Sequence, residues 1–183
     1  MILDKKILAF TGPSGAGKST IVRELLKQMP EWKLIVSVTT REKRESDLPG
    51  EYDYVSEGKF REMEKDDKFI WTAEPHGKHY GTMYESIDST FILPHKSLII
   101  LEPVSVSVLI DYTTQVAPFY IYAPSEGELI NRLALRGDSP ESIEKRISDC
   151  RSWPRLAKET GVRYNYVLNR NIDDAVKNVL MYF

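Results

Sequence analysis

A chain of 183 residues with 42% hydrophobic and 28% charged side chains has the make-up of one globular domain, long enough to bury a real core. Its formal net charge of −2 lacks the basic excess of a nucleic-acid binder, and its one cysteine, Cys150, excludes an internal disulfide and suggests no cysteine-based metal site. No apolar run reaches membrane-spanning length and Met1–Lys6 lacks the layout of a signal peptide, so the expectation is a cytoplasmic protein without a membrane partner.

In chain order, Ile7–Phe10 is short, apolar throughout and followed by a glycine turn, the pattern of a central parallel strand buried on both faces. The turn reads Gly12-Pro13-Ser14-Gly15-Ala16-Gly17-Lys18-Ser19-Thr20 and leads into a helical pattern that ends before Pro30. Gly, four residues, then Gly-Lys-Ser is the P-loop rule. The glycines let successive N–H groups turn toward one anion, and the helix that starts there offers free N–H groups and a positive dipole end. Lys18 then reaches the β- and γ-phosphates, and the Ser19 hydroxyl is placed to ligate magnesium. The motif therefore predicts binding of a nucleoside triphosphate.

Leu34–Thr39 is β-branched and predicts one strand. From Arg41 to Gly50 basic and acidic residues interleave, as in an exposed loop, before a short strand around Tyr52–Val55. Ser56 is placed to cap a charged helix from Glu57 to Lys65, and Phe69–Ala73 reads as a strand followed by a turn from His76 to Thr82. Residues 38–82 thus form a small β-rich insertion. A helix over Tyr84–Leu93, a buried strand over Ser97–Glu102, a helix over Val104–Tyr112 and a strand over Pro118–Tyr122 follow. Ser125 and Glu128 make a capping box for a helix reaching Arg136. Ser139 and Pro140 open a second helix, on which Cys150 is a packing residue and which Pro154 is expected to kink or break. A strand over Arg163–Leu168 and a helix capped by Asn171 close the chain. Strands alternating with helices predict an α/β fold, a mostly parallel sheet covered on both faces. The core comprises residues 1–37, 83–124 and 149–183, and a helical lid covers 125–148.

Four further groups carry chemistry. Arg41 and Arg44, beside the hydroxyls of Ser37 and Tyr52, suit a phosphate monoester, yet the interleaved acids also fit a solvated loop. The stretch from Trp71 to Thr82, with Glu74, His76, Lys78, His79 and Tyr80, offers rings and hydroxyls to a base or phosphate, or is a plain hairpin. Glu102 closes a buried strand at the end where ligands sit in open α/β sheets, and either serves magnesium or an arginine or merely marks the strand end. Arg132, Arg136 and Arg146 lie on a helical hairpin that can close over a triphosphate and shed water; the other reading pairs them with Glu126, Glu128 and Glu144.

Taken together, GPSGAGKST, SVTTREKRESDLPGEYDYV, FIWTAEPHGKHYGT, RLALRG with SPESIEKR, and the late ETG and VLNR stretches resemble the guanylate kinase family of nucleoside monophosphate kinases, from about Ile7 to the C-terminus. The resemblance implies a P-loop kinase fold with a monophosphate-binding insertion and a lid, ATP and Mg2+ as cofactors, a nucleoside monophosphate as substrate, and no nucleic-acid partner; it leaves a homodimer open. It implies that Ser37, Arg41, Arg44, Tyr52 and Tyr80 hold the acceptor phosphate and that Thr82 lies near the base. Arg132, Arg136 and Arg146 become lid arginines, and Asn169 lies near the donor adenine.

The chain departs from the family on the base-reading side. Trp71 stands where a glutamate bonds the guanine edge, and Val104 stands where a second acid is usual, leaving Glu102 as the first. Trp71 can stack on a base, and Glu74 can substitute if the local register differs. Loss of two acceptors implies an altered or relaxed base choice, because a base-reading site rejects the wrong base through unpaired groups. A sugar-phosphate kinase of the ribose bisphosphate type and a non-enzymatic phosphopeptide-binding module remain as alternatives.

Overall fold

The computed structural model describes residues 5–45 and 47–182, apart from the side chain of His76. At its centre is β1 (Ile7–Thr11), buried along its whole length. Leu8 and Phe10 project into one apolar cluster while Ile7 and Ala9 project into another, so the strand feeds both layers of the core. Burying side chains of this size stabilises the fold by about 1.5–3 kcal/mol each. Five parallel strands run in the order β2 (Lys33–Leu34), β7 (Ser97–Ile100), β1, β8 (Val116–Tyr122), β9 (Asn165–Leu168). One face is covered by α1 (Lys18–Gln28) and α7 (Ile172–Leu180), through Ile21, Leu25, Val176 and Val179. The other is covered by α4 (Pro103–Tyr112) and the end of α6 (Pro140–Glu159), through Val106, Leu109 and Ala157.

A second sheet has the order β4 (Tyr52–Tyr54), β3 (Ser37–Thr39), β6 (Tyr80–Met83), β5 (Phe69–Ala73), with β3 and β4 parallel and the other pairs antiparallel. Its small core is Val38, Phe60 and Phe69, closed by α2 (Glu57–Lys65), whose N-cap Ser56 accepts from the Lys59 N–H. β5 and β6 form a hairpin around a single 3₁₀ turn, Pro75–Gly77, and α3 (Tyr84–Phe91) leads back to the main sheet.

Two expectations need correction. The strand expected over Leu34–Thr39 is two strands in two sheets. Ile35 still donates to Leu98 of the main sheet, whereas Ser37 already donates to Glu51 and pairs with Tyr52. A continuous β-branched run cannot reveal that its partners change midway. Pro154 does not break α6, which runs unbroken through it. The ring removes one ladder donor, but buried Cys150 and Ala157 anchor the helix on either side.

α6 also changes layers. Its Ile147 belongs to the first apolar cluster and its Ala157 to the second, so the helix crosses the sheet at the carboxyl end of β1. With α5 (Glu126–Leu135) it makes a helical hairpin, and Ser125 and Ser139 cap the two helices as expected.

Candidate active site

The loop after β1 is shaped by its backbone. Gly12 has φ 137° and Gly17 has φ 94°, conformations that an L side chain rarely adopts. A Cβ on Gly12 would overlap the Ile121 carbonyl oxygen, and one on Gly17 would overlap the Asn169 amide. Neighbouring elements clasp the loop. Asn169 Nδ2 donates to the Ala16 carbonyl at 2.8 Å, Arg146 Nη1 to Ser14 Oγ at 3.1 Å, and the Cys150 thiol to the Ser14 carbonyl at 3.8 Å. Burial pushes that thiol's pKa up, which suits a packing residue.

Lys18 is folded back onto its own loop. Its Nζ donates to Gly12 O at 2.6 Å and Pro13 O at 2.9 Å and lies 5.5 Å from the ring centre of Trp153. Burial lowers its pKa to about 8, against the opposing pull of Cys150, Glu51 and Glu102.

The small sheet gathers a second group. Ser37 pairs with Tyr52 across β3 and β4, and its hydroxyl lies 2.9 Å from that of buried Thr82. Tyr52 meets Tyr80 edge to face, and the Arg41 guanidinium lies 4.8 Å from the Tyr52 ring. Trp71 sits opposite Thr82 in the hairpin and packs against the second apolar cluster. Glu51 is buried and accepts from the Leu48 N–H; burial raises its pKa.

On the helical hairpin, Arg132 bonds Glu128 at 2.7 Å and the Asn169 carbonyl at 2.9 Å. Arg136 is paired with Asp138, and the same carboxylate stands 3.9 Å from Arg146. Burial lowers the Arg146 pKa, which Asp138 counters. The pairing of Arg132 with Glu128 follows the second reading of the sequence, but Glu126 instead holds Arg151.

One cleft of about 650 Å³ brings three groups together: Ser14, Gly15, Gly17, Lys18, Ser19 and Thr20 of the loop; Arg41, Arg44 and Tyr52; and Arg132, Arg136 and Arg146, with Asn169 beside them. Ser37, Trp71, Tyr80 and Thr82 belong to the small sheet and are not among the residues that line the cleft. Glu74 is turned outward, with its carboxylate 3.7 Å from His79 Nδ1. Glu102 is the N-cap residue of α4 and acts on Lys18 through its charge. Val104, the second residue of α4, is 56% exposed. The side chain of His76 lies outside the described residues.

Sequence reasoning missed several lining residues: Arg23, Asp47, Glu51, Arg170 and Asn171. Asp47 was hidden among the alternating charges of its loop. Trp153, over Lys18, follows Arg146 by seven positions and Cys150 by three, a helical stripe that was visible in the sequence but lacked a known target.

Comparison with known proteins agrees with this geometry. The guanylate kinase family model matches residues 4–183. The chain is 33% identical over 181 residues to the guanylate kinase of Wolinella succinogenes, covering 95% of this chain and 81% of that protein. It is 36% identical over 177 residues to that of Agrobacterium fabrum, covering 94% and 79%. The crystal structure of guanylate kinase from Anaplasma phagocytophilum shares the fold, with a TM-score of 0.67 at 23% identity, covering 97% of this chain and 83% of that one. A full-length family match, relatives above 30% identity and an ATP-type loop facing an arginine-lined cleft make this chain a member of the guanylate kinase family, an ATP-binding phosphotransferase.

Proposed function

We propose that the protein transfers the γ-phosphoryl group of ATP to the phosphate of a nucleoside or deoxynucleoside monophosphate, GMP and dGMP included, with a base choice relaxed from that of its relatives. The observation that carries the reading is the single cleft walled by the loop, by Arg41 with Arg44, and by the three hairpin arginines. In this reading residues 38–82 deliver the acceptor and residues 125–148 close over the donor. Arg41, Arg44 and Tyr52 hold the acceptor phosphate, with Ser37, Tyr80 and Thr82 supporting them from the small sheet. The loop cradles the ATP phosphates. Asn169 Oδ1, buried with no protein partner, is an acceptor suited to the amino group of adenine.

The acceptor oxygen is already ionised, so no general base is required and catalysis rests on alignment and charge. Lys18 leaves its loop carbonyls for the transferred group, and Arg132, Arg136 and Arg146 offset the charge that spreads over it. Closure of the hairpin keeps water from becoming the acceptor.

Ser19, at the start of α1 on the cleft wall, and Glu102, close enough to act on Lys18, are hard oxygen donors that fit magnesium. Among the described residues no cluster of three acidic, histidine or cysteine ligands exists, which suits an ion carried mainly by substrate phosphates. When bound, it would shield phosphate charge.

Base choice turns on Trp71 and Val104. Neither can accept a hydrogen bond from a base edge through its side chain, whereas the small sheet keeps the Ser37–Thr82 hydroxyl pair. A panel of nucleoside and deoxynucleoside monophosphates assayed with ATP and Mg2+ tests this. Turnover spread over several bases is expected; strict GMP preference would refute the relaxed choice while leaving the kinase reading intact. The sugar-phosphate and phosphopeptide readings are not favoured by relatives that carry the guanylate kinase name over nearly the whole chain.

A further inference from the structure

Within the charged loop one carboxylate gathers four donors. Asp47 Oδ1 accepts from Arg41 Nη2 at 2.7 Å, and Oδ2 accepts from Arg41 Nη1, the Arg44 N–H and the Tyr54 hydroxyl, each at 2.7 Å. Both members of the Arg41–Asp47 pair are 7% exposed at the side chain. A solvated surface pair is weakly held, but a buried one persists only when its lone pairs are met, as they are here. We propose that Asp47 is a positioning residue for the acceptor phosphate, acting through Arg41 and Arg44; this rests on the acceptor-site reading above.

The argument is one of donor accounting. Arg41 carries five N–H groups in a rigid plane. Nη1 spends its two on the Glu42 carbonyl, at 2.8 Å, and on Asp47, and Nη2 spends one on Asp47. The guanidinium carbon lies over the Tyr52 ring, 4.8 Å from its centre, and 5.9 Å from the centre of the Tyr54 ring. What remains is Nε–H and the second Nη2–H, the parallel pair along one edge that matches two phosphate oxygens. Asp47 thus consumes the end of the guanidinium and leaves its side fork presented. By fixing the Arg44 N–H, it also sets where the Arg44 side chain leaves the backbone. Desolvation alone would raise the Asp47 pKa, but the bonds from Arg41, Arg44 and Tyr54 bring it to about 2, so the anchor stays charged throughout the working pH range.

The test uses the full chain, ATP with Mg2+, and GMP as the acceptor probe. Asp47→Asn keeps the shape and removes the charge. Its KM for GMP is expected to rise about tenfold, with KM for ATP within twofold, because the loss falls on acceptor binding. In an Arg41→Ala background the same change should add less than twofold, since contacting residues are not additive. An unchanged KM for GMP, an equal rise in the Arg41→Ala background, or a fall in KM, which would mean that the carboxylate competes with the phosphate, overturns the proposal. If Asp47→Asn does not fold, Tyr54→Phe removes one of the four bonds and keeps the charge; a rise of about two- to threefold supports the proposal and no change overturns it. If Arg41→Ala and Arg44→Ala themselves leave KM for GMP unchanged, the acceptor-site reading fails rather than the role of Asp47 alone.

Discussion

The loop after β1 takes its shape from its backbone, whereas the arginine loop after β3 takes its shape from a side chain. In the first, Gly12 and Gly17 adopt conformations closed to other residues, and the loop lies against Ile121, Asn169 and Ser14's partners on α6. In the second, a buried carboxylate ties Arg41, Arg44 and Tyr54 together on a small sheet with a core of only three buried apolar residues. The loop that has to receive a polyphosphate is built into the main sheet. The loop proposed to receive a small, varied acceptor is held by contacts that can be exchanged one residue at a time.

Four measurements press on this contrast. Lys18→Ala should lower kcat by a factor of about 10³ or more while the thermal melt stays near that of the parent, because the charge that meets the transferred group is gone. Retained turnover in that variant would place the chemistry elsewhere. Gly17→Ala should lose about 2–4 kcal/mol of stability in urea denaturation, from strain at positive φ and the clash with Asn169. A variant as stable as the parent would show that the loop is not fixed by its backbone. Arg44→Ala should raise KM for the monophosphate about ten- to fiftyfold with KM for ATP within twofold; equal changes in both would erase the division between the two halves. The mildest lever is pH. The Lys18 pKa in the folded chain, about 8, lies below the ordinary lysine value of 10.5, so the ammonium is lost as pH rises through about 8. A plot of kcat/KM for ATP should therefore bend downward there and approach a tenfold fall per pH unit, reporting the free enzyme. A plot flat to pH 9.5 would remove Lys18's charge from the rate.

What could be read from the sequence was local. The glycine spacing announced the loop, and Ser56, Ser125, Ser139 and Asn171 announced their helices, because a cap and the N–H it accepts from lie three residues apart. The division of Leu34–Thr39 between two sheets was hidden, since it depends on Leu98 and Tyr52, far along the chain. Asp47 was hidden for a related reason. Charges alternate through its loop, and only the fold shows which acid turns inward and which stay in water. That α6 is not broken at Pro154 was hidden too, because the single missing donor was weighed without the packing of Cys150 and Ala157 on either side.

Four of the cleft's arginines also face carboxylates before any nucleotide arrives. Arg41 stands against Asp47, Arg132 against Glu128, and Arg136 and Arg146 against Asp138. On the helical hairpin a guest anion must outbid Glu128 and Asp138, and a lone chloride or sulfate engages too few guanidinium groups to do so. Only a molecule with phosphates spaced to engage several guanidinium groups at once gains enough to displace them. The vacant hairpin is thereby buffered against the common ions of the cell.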